Sequence, residues 1–374
     1  MIRRALSAAF RGPKSIPYAY GAIHAVIDAS TVTVVVSSSM IHELSLGQAF
    51  QLIVAYDILA FGSQALIGLI IDKLELLRGA VLLGIALTVA AIVALPLTPV
   101  TAMILAGLGN ASFHVGAGAI TLCASEGRSA PNGIFVAPGA LGLTFGLWFG
   151  RSGAELMWPF YVVLGLCFVW ALVLPVPAEH RVRTPGERDR PPGAPEPGRV
   201  RFAHVIVVLL LVSIVVRSLV GYSGAYQCPS GPLKLFGLGA AAFGGKALGG
   251  IISDRLGWMD VSVGALLLSA PFIAFGGPNI ELLLIGMFLF QMTMPVTLAA
   301  VALCYPKRPG LEFGLTALAL IIGVLPTFSQ AATQFYGPVV FLALILASAL
   351  SVWVGLRMLG DRNPIRGMWS ARRA

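Results

Sequence analysis

Six side chains able to carry or exchange charge fall inside long apolar stretches of this sequence: His24, Asp28, Asp57, His114, Arg217 and Lys246, with the amide Gln64 among them. His24 precedes Asp28 by four residues, so on a helix the two share a face one turn apart. Asp57 and Gln64 stand two turns apart and are expected to face the same way. An ionisable group at the centre of a bilayer costs at least about 2.5–3.5 kcal/mol on insertion scales, so each one asks for a reason. A carboxylate held across an aqueous chamber from Arg217 or Lys246 can keep its charge. It can then release its partner when it is protonated or when a solute displaces it. On this chemistry Asp57, Asp28 and His24 are the expected proton-exchanging groups. Arg217 and Lys246 are expected to draw an anionic group, a guanidinium being always charged with fixed donors. His114 and Gln64 would line the same path. Each has a plainer account as well: the acids as static partners of the cations, His24 as a group that satisfies Asp28, His114 as bonded to nearby backbone. Glu155, Arg151 and Glu281 fall near expected helix ends, where snorkelling to water is easy.

The elements that would position these groups follow from composition. The chain has 374 residues, of which 57% are hydrophobic and 11% charged, against roughly 25% charged in an ordinary soluble domain. Such a chain cannot cover a soluble fold, so a soluble enzyme, a nucleic-acid-binding domain, a disordered protein and a disulfide scaffold are all poor readings. It is an integral membrane protein. Spans of about 20 mainly apolar residues run over 16–37, 46–71, 79–97, 100–122, 131–151, 155–175, 203–222, 233–253, 261–277, 280–304, 310–330 and 338–359. The expected fold is therefore all-α, with twelve transmembrane helices.

The net charge of +9 is explained by where the positive residues sit. With the N-terminus inside, 21 of the 25 Lys and Arg fall in inner segments, two (Arg151 and Lys234) in outer ones, and Arg217 and Lys246 within helices. That asymmetry predicts that both termini are cytoplasmic, and an inner membrane is the expected location. The first 14 residues carry Arg3, Arg4, Arg11 and Lys14, and no small-residue cleavage site follows the next apolar run, so a retained first helix is expected. Residues 176–202, rich in Pro and Arg, are expected to be a disordered cytoplasmic linker between an N-terminal bundle at 1–175 and a C-terminal bundle with its tail at 203–374.

The linker divides the helices six and six, and the halves repeat. Residues 60–74, AFGSQALIGLIIDKL, recur as AFGGKALGGIISDRL at 242–256, with nine identities in fifteen. A weaker echo sets Pro131 and Phe135 against Pro309 and Phe313. Gly68-x-x-x-Asp72-Lys73 and Gly250-x-x-x-Asp254-Arg255 resemble the signature loop of the major facilitator superfamily. The resemblance implies two pseudo-symmetric six-helix bundles. It also implies a cytoplasmic gate in which Gly68 and Gly250 allow close approach while Asp72, Lys73, Asp254 and Arg255 latch the halves together. Glu75 replaces a second glycine of that pattern, and the second copy keeps Gly257. The run from Gly107 to His114, with Gly139, Gly142, His24, Asp28 and Arg217, is similar to the fosmidomycin-resistance branch, which exports drugs in exchange for protons. Val115 stands where that branch usually has Pro.

The remaining features carry less. Met287, Met292 and Met294 invite a copper reading, since thioethers bind Cu(I), but their spacing spreads the sulfurs around a helix. Cys123, Cys167, Cys228 and Cys304 show no metal or disulfide spacing. No GxSxG, HExxH, Walker A or dinucleotide motif is present, and neither an enzyme nor a cofactor is expected. The function read from the sequence is a monomeric secondary transporter moving a small anionic or zwitterionic solute across the inner membrane, with protons as the coupling ion and by alternating access, its direction left open. A non-transporting membrane sensor or assembly factor of the same fold is the rival, and a copper importer a lesser one. A ligand that raised the melting temperature would speak against the sensor.

Overall fold

The structure, a computed structural model, describes residues 15–151, 157–183, 187, 200–225, 231–276, 278–329 and 337–360. The basic N-terminal residues, the C-terminal tail, Cys228, Glu155 and most of the Pro-rich stretch lie outside the described residues. Twelve helices follow one another: α1 (Ile16–Ile41), α2 (Leu46–Leu74), α3 (Leu77–Ala94), α4 (Pro99–Ala124), α5 (Ala130–Gly150) and α6 (Trp158–Val173). The second six are α7 (Ala203–Ala225), α8 (Pro232–Leu256), α9 (Trp258–Phe275), α10 (Ile280–Cys304), α11 (Pro309–Phe328) and α12 (Pro338–Leu359). Among the described residues there is no strand. Eleven of the helices are long and apolar enough to cross a membrane, and α6 is shorter. Proline marks many of the starts (Pro17, Pro99, Pro131, Pro159, Pro309, Pro338 each in a first turn), where its missing N–H costs nothing. Large apolar side chains remain exposed along the outside, Leu166 at 66% and Val339 at 74% among them. Hydrocarbon rather than water is the solvent for such a surface.

The sequence repeat is matched by a repeat of packing. In the first half α1 lies on α5, α2 on α4 and α3 on α4; in the second, α7 lies on α11, α8 on α10 and α9 on α10. Two pairs carry most of the contact between the halves, α5 with α8 and α2 with α11, and α4 on α11 and α5 on α10 add to it. The repeat-related Phe135 and Phe313 meet between them, with ring centroids 6.1 Å apart.

Regular helix gives way at several places among the described residues. A π-helical turn, Ile58–Gly62, interrupts α2 directly after Asp57, a form of distortion enriched at functional sites. The helix α10 breaks at Met292–Thr293 into Ile280–Gln291 and Met294–Cys304. At the end of α2, Glu75 takes the left-handed conformation (φ 56°, ψ 33°), where the repeat has Gly257 at φ 124°. A side chain with a Cβ pays about 1 kcal/mol there. Glu75→Gly is therefore expected to stabilise the fold by about that amount, read as a raised melting temperature in detergent; an unchanged or lowered one would contradict the strain.

Disorder was expected across 176–202, yet residues 176–183 lie against the protein. Val182 is 1% exposed and its N–H donates to the Pro306 carbonyl at 2.7 Å. His180 Nε2 reaches Asp72 Oδ1 at 2.9 Å. An apolar residue and an imidazole with a carboxylate partner give this stretch the contacts that its proline-rich remainder could not supply. Glu179 is clasped by Arg183 and Arg181 at 2.7 and 2.8 Å, and the two guanidiniums hold its carboxyl below the usual carboxylate range.

Candidate functional site

Proline at position 138 lies inside α5 and withholds the N–H that would bond the Ile134 carbonyl, loosening the turn. In that turn the Phe135 carbonyl stands 3.0 Å from His24 Nδ1 on α1. His114 on α4 likewise directs Nδ1 to the Asn110 carbonyl, at 2.8 Å. A carbonyl oxygen only accepts, so both Nδ1 atoms carry hydrogen and both Nε2 atoms present lone pairs when the rings are neutral. Those two lone pairs face each other at 2.7 Å. The Asp28 carboxylate stands beside both, 3.1 Å from His24 Nε2 and 3.4 Å from His114 Nε2.

Three acceptors thus converge. One added proton on the imidazole pair, balanced by the Asp28 charge, turns their mutual repulsion into hydrogen bonds. A divalent metal is the competing occupant, because the three ligand atoms lie within 4.8 Å of one another. Two nitrogens bound to one tetrahedral ion at about 2.0–2.1 Å stand roughly 3.3 Å apart. The observed separation is shorter and suits a shared proton.

Around this triad the donors are fixed. Asn110 Nδ2 donates to Asp28 Oδ1 at 2.9 Å and reaches Thr31 Oγ1 at 3.3 Å, and Tyr56 OH donates to the same hydroxyl at 2.9 Å. Gly139 of α5 makes room for it: a Cβ there would stand 2.6 Å from His24 Cε1 and 2.7 Å from Asp28 Oδ2. Sequence reasoning missed Asn110, Thr31 and Tyr56 as site residues, and missed what Gly139 does. Asn110 sits one turn before His114 and Thr31 three residues after Asp28, so helical spacing alone would have found both.

Of the expected cations, Lys246 on α8 lies within electrostatic range of Asp28, His114 and Arg217. Its ammonium has no hydrogen bond or ion pair among the described residues. Arg217 on α7 is 7% exposed and donates from Nη2 to Thr297 Oγ1 at 3.0 Å, while its Nε has no partner. Asp57 is not brought into this group. Its carboxylate is partly exposed and has no hydrogen bond or ion pair among the described residues. Asp57 and Gln64 were expected to share a face, but the π turn between them adds a residue to that turn and shifts register by about 100°. Gln64 is fully buried instead, with Nε2 on the Ala60 carbonyl at 2.8 Å and Oε1 without a donor. Met287 and Met292 are buried in the packing of α10.

A second site lies at the end of the bundle that carries the α2–α3, α4–α5, α8–α9 and α10–α11 loops, here called the basic face. Asp72, at the end of α2, accepts from the Gly310 and Leu311 N–H groups at 2.9 and 2.8 Å, capping α11 of the other half. Asp254, at the end of α8, accepts from the Ser129 and Ala130 N–H groups at 2.9 and 2.8 Å, capping α5. It also takes the Ser129 hydroxyl at 2.7 Å and the Trp258 indole at 2.9 Å. Helix starts present bare N–H groups and a positive dipole end, so a carboxylate is their natural partner. The backbones touch here: a Cβ on Gly68 would meet the Gly310 peptide, with Leu311 N at 2.8 Å, and one on Gly250 would meet the Ser129 carbonyl at 2.8 Å. The bases expected in this latch play no such part. Lys73 and Arg255 are exposed and form no ion pair among the described residues, because the backbone donors already occupy both carboxylates.

Two six-helix bundles joined through crosswise capped helices, with buried titratable groups between them, define a membrane transporter rather than an enzyme. The family model described as Major Facilitator Superfamily matches residues 19–308, and the chain belongs to that superfamily. Among solved structures it is similar to a point variant of the E. coli fucose:proton symporter FucP, at 12% identity and TM-score 0.66. That match covers 92% of this chain and 98% of the other. It is similar also to a FucP structure in the outward conformation, at 13% identity and TM-score 0.59 over 92% and 100% of the two chains. The human organic anion transporter MFSD10 (TETRAN) matches at 15% identity and TM-score 0.65 over 93% and 100%. No curated protein sequence matches the chain. The chain is a multi-pass membrane protein and a secondary transporter acting on a small molecule.

Proposed function

We propose that this transporter couples movement of a small anionic or zwitterionic solute to protons, by alternating access, as a monomer in the inner membrane with both termini cytoplasmic. The observation that carries the reading is the pair of His24 and His114 Nε2 atoms 2.7 Å apart over Asp28, each with its Nδ1 committed to a carbonyl. The triad is the proton site: it is complete with one proton and self-repelling without it. Lys246 and Arg217 take the anionic group of the solute, and the charge of Asp28 sets how freely Lys246 does so. Gln64, with a buried acceptor unused, is a further contact for the solute, and Asp57, at the π turn, a further place where a proton exchanges. The paired helix caps at Gly68, Asp72, Gly250 and Asp254 form the cytoplasmic gate; Lys73 and Arg255 flank it.

The test begins with a thermal-shift screen of anionic and zwitterionic metabolites to find a solute that binds. That solute is then applied to proteoliposomes carrying an internal pH dye. A solute gradient is expected to drive proton flux in the wild type and none in the His24→Asn, His114→Asn double variant, with solute binding retained. The sign of the pH change tells exchange, which the likeness to the fosmidomycin-resistance branch implies, from co-transport. Flux of wild-type size in the double variant would refute the assignment.

A further inference from the structure

One buried acid takes no part in either site. Glu312, in the first turn of α11, is 1% exposed. Neither of its carboxylate oxygens has a hydrogen-bond partner, and it forms no ion pair among the described residues. It follows directly on Gly310 and Leu311, the two residues whose N–H groups hold Asp72 of the opposite half. Its neighbour Phe313 presses on α4, where a Cβ at Gly118 would meet the phenyl ring.

The helices packed on α11 are α2, α4, α7 and α10. Among the described residues, the charges that act on Glu312 are Asp72, from α2, and Arg308, from the turn before α11. Asp72 repels a second negative charge. Arg308 is exposed and makes no ion pair with it. An ionised carboxylate with neither donor nor cation is not tolerated in such a place, so the closed contact between α2 and α11 holds Glu312 as the neutral acid. Once the helices part, the same side chain meets water, with Arg308 four residues before it, and is free to ionise.

We infer that Glu312 is a second proton-binding site, built into the gate on the basic face, which takes up one proton when α2 and α11 close and releases it when they open. The inference rests on the alternating-access reading and not on the His24–Asp28–His114 triad. Because closure binds a proton, the closed fraction falls as pH rises, with a limiting slope of about tenfold per pH unit. In the proposed orientation the proton comes from the cytoplasm, so a rise in cytoplasmic pH favours the inward-open state. A transporter with two such sites exchanges protons at the centre and at the gate, and its cycle senses pH on one side of the membrane independently of its coupling.

Spin labels at Lys73→Cys and Arg255→Cys, exposed positions on opposite halves, report the gate in a background with the native cysteines replaced by alanine. Electron–electron distance distributions are recorded from pH 5 to pH 9. In the otherwise unaltered protein the short-distance population is expected to fall over this range. In Glu312→Gln, permanently neutral, it is expected to stay high and flat, and in Asp28→Asn it should move as in the parent. A parent population that does not respond to pH, or a Glu312→Gln population that falls as the parent does, overturns the proposal. Loss of the response in Asp28→Asn alone would assign it to the central triad and overturn the role of Glu312, leaving the coupling reading intact. Should Glu312→Gln fold poorly, infrared spectra of the parent and Glu312→Leu provide the second measurement: a protonated-carboxyl band absent from the variant supports the assignment, and an identical spectrum removes it.

Discussion

Asp28→Asn is expected to abolish solute-driven proton flux, a loss of at least about a hundredfold, while leaving the protein folded. The carboxylate stands 3.1 and 3.4 Å from the two Nε2 atoms. At an effective dielectric constant near 20, one such contact with an imidazolium is worth on the order of 5 kcal/mol. The amide is close in size and still meets the Asn110 and imidazole groups, but it brings no charge to hold the shared proton. The two lone pairs then face each other with nothing between them. Solute binding, which depends on Lys246 and Arg217, should survive; with the Asp28 charge gone, Lys246 should hold an anionic solute at least as tightly. Coupled flux is read in proteoliposomes and binding by thermal shift. Retained flux in this variant, with folding shown intact, would leave the triad a structural feature only.

Gly68→Ala should hold the gate on the basic face apart and slow transport by about two orders of magnitude or more. The added methyl meets the Gly310 peptide and Leu311 N, both backbone, so no side chain can swing away to admit it. Parting α2 from α11 breaks the two N–H bonds to Asp72, each worth about 1.5–3 kcal/mol as a bond to a charged group. Their loss shifts the closed population by more than about a hundredfold. Gly250→Ala is expected to do less, because Asp254 keeps its Trp258 donor on the same side of the contact. Uptake rates in proteoliposomes and the label distance across the gate check both; a Gly68→Ala protein that transports normally would show that this approach is not needed.

Much of the architecture was legible because the bilayer imposes it. Twelve runs of suitable length had to become helices. The His24–Asp28 pair was equally legible, since four residues are one turn. What periodicity could not supply was which helices meet. His114 stands out in the sequence as polar within an apolar run, but only the fold brings it onto His24, and the role of Asn110 follows from the same approach. The face that Asp57 and Gln64 were expected to share misled, because the π turn between them is invisible to a count of 3.6. Glu312 lies so near the start of its helix that it reads as a residue at the membrane edge; it is buried because α2 of the other half closes over that turn. His180 was hidden in a stretch whose proline content spoke for disorder.

The crosswise capping has a consequence for how the molecule comes into being. Each half supplies the acid that the other needs: Asp72 of the first for the start of α11, Asp254 of the second for the start of α5. A half synthesised alone would expose bare amides at one helix entrance and a carboxylate with no donor at another. Gene duplication did not, in this chain, yield two self-sufficient modules. The start of α5 gains its carboxylate partner only once α8 is in place, so the finish of that helix belongs to the pair and not to either half.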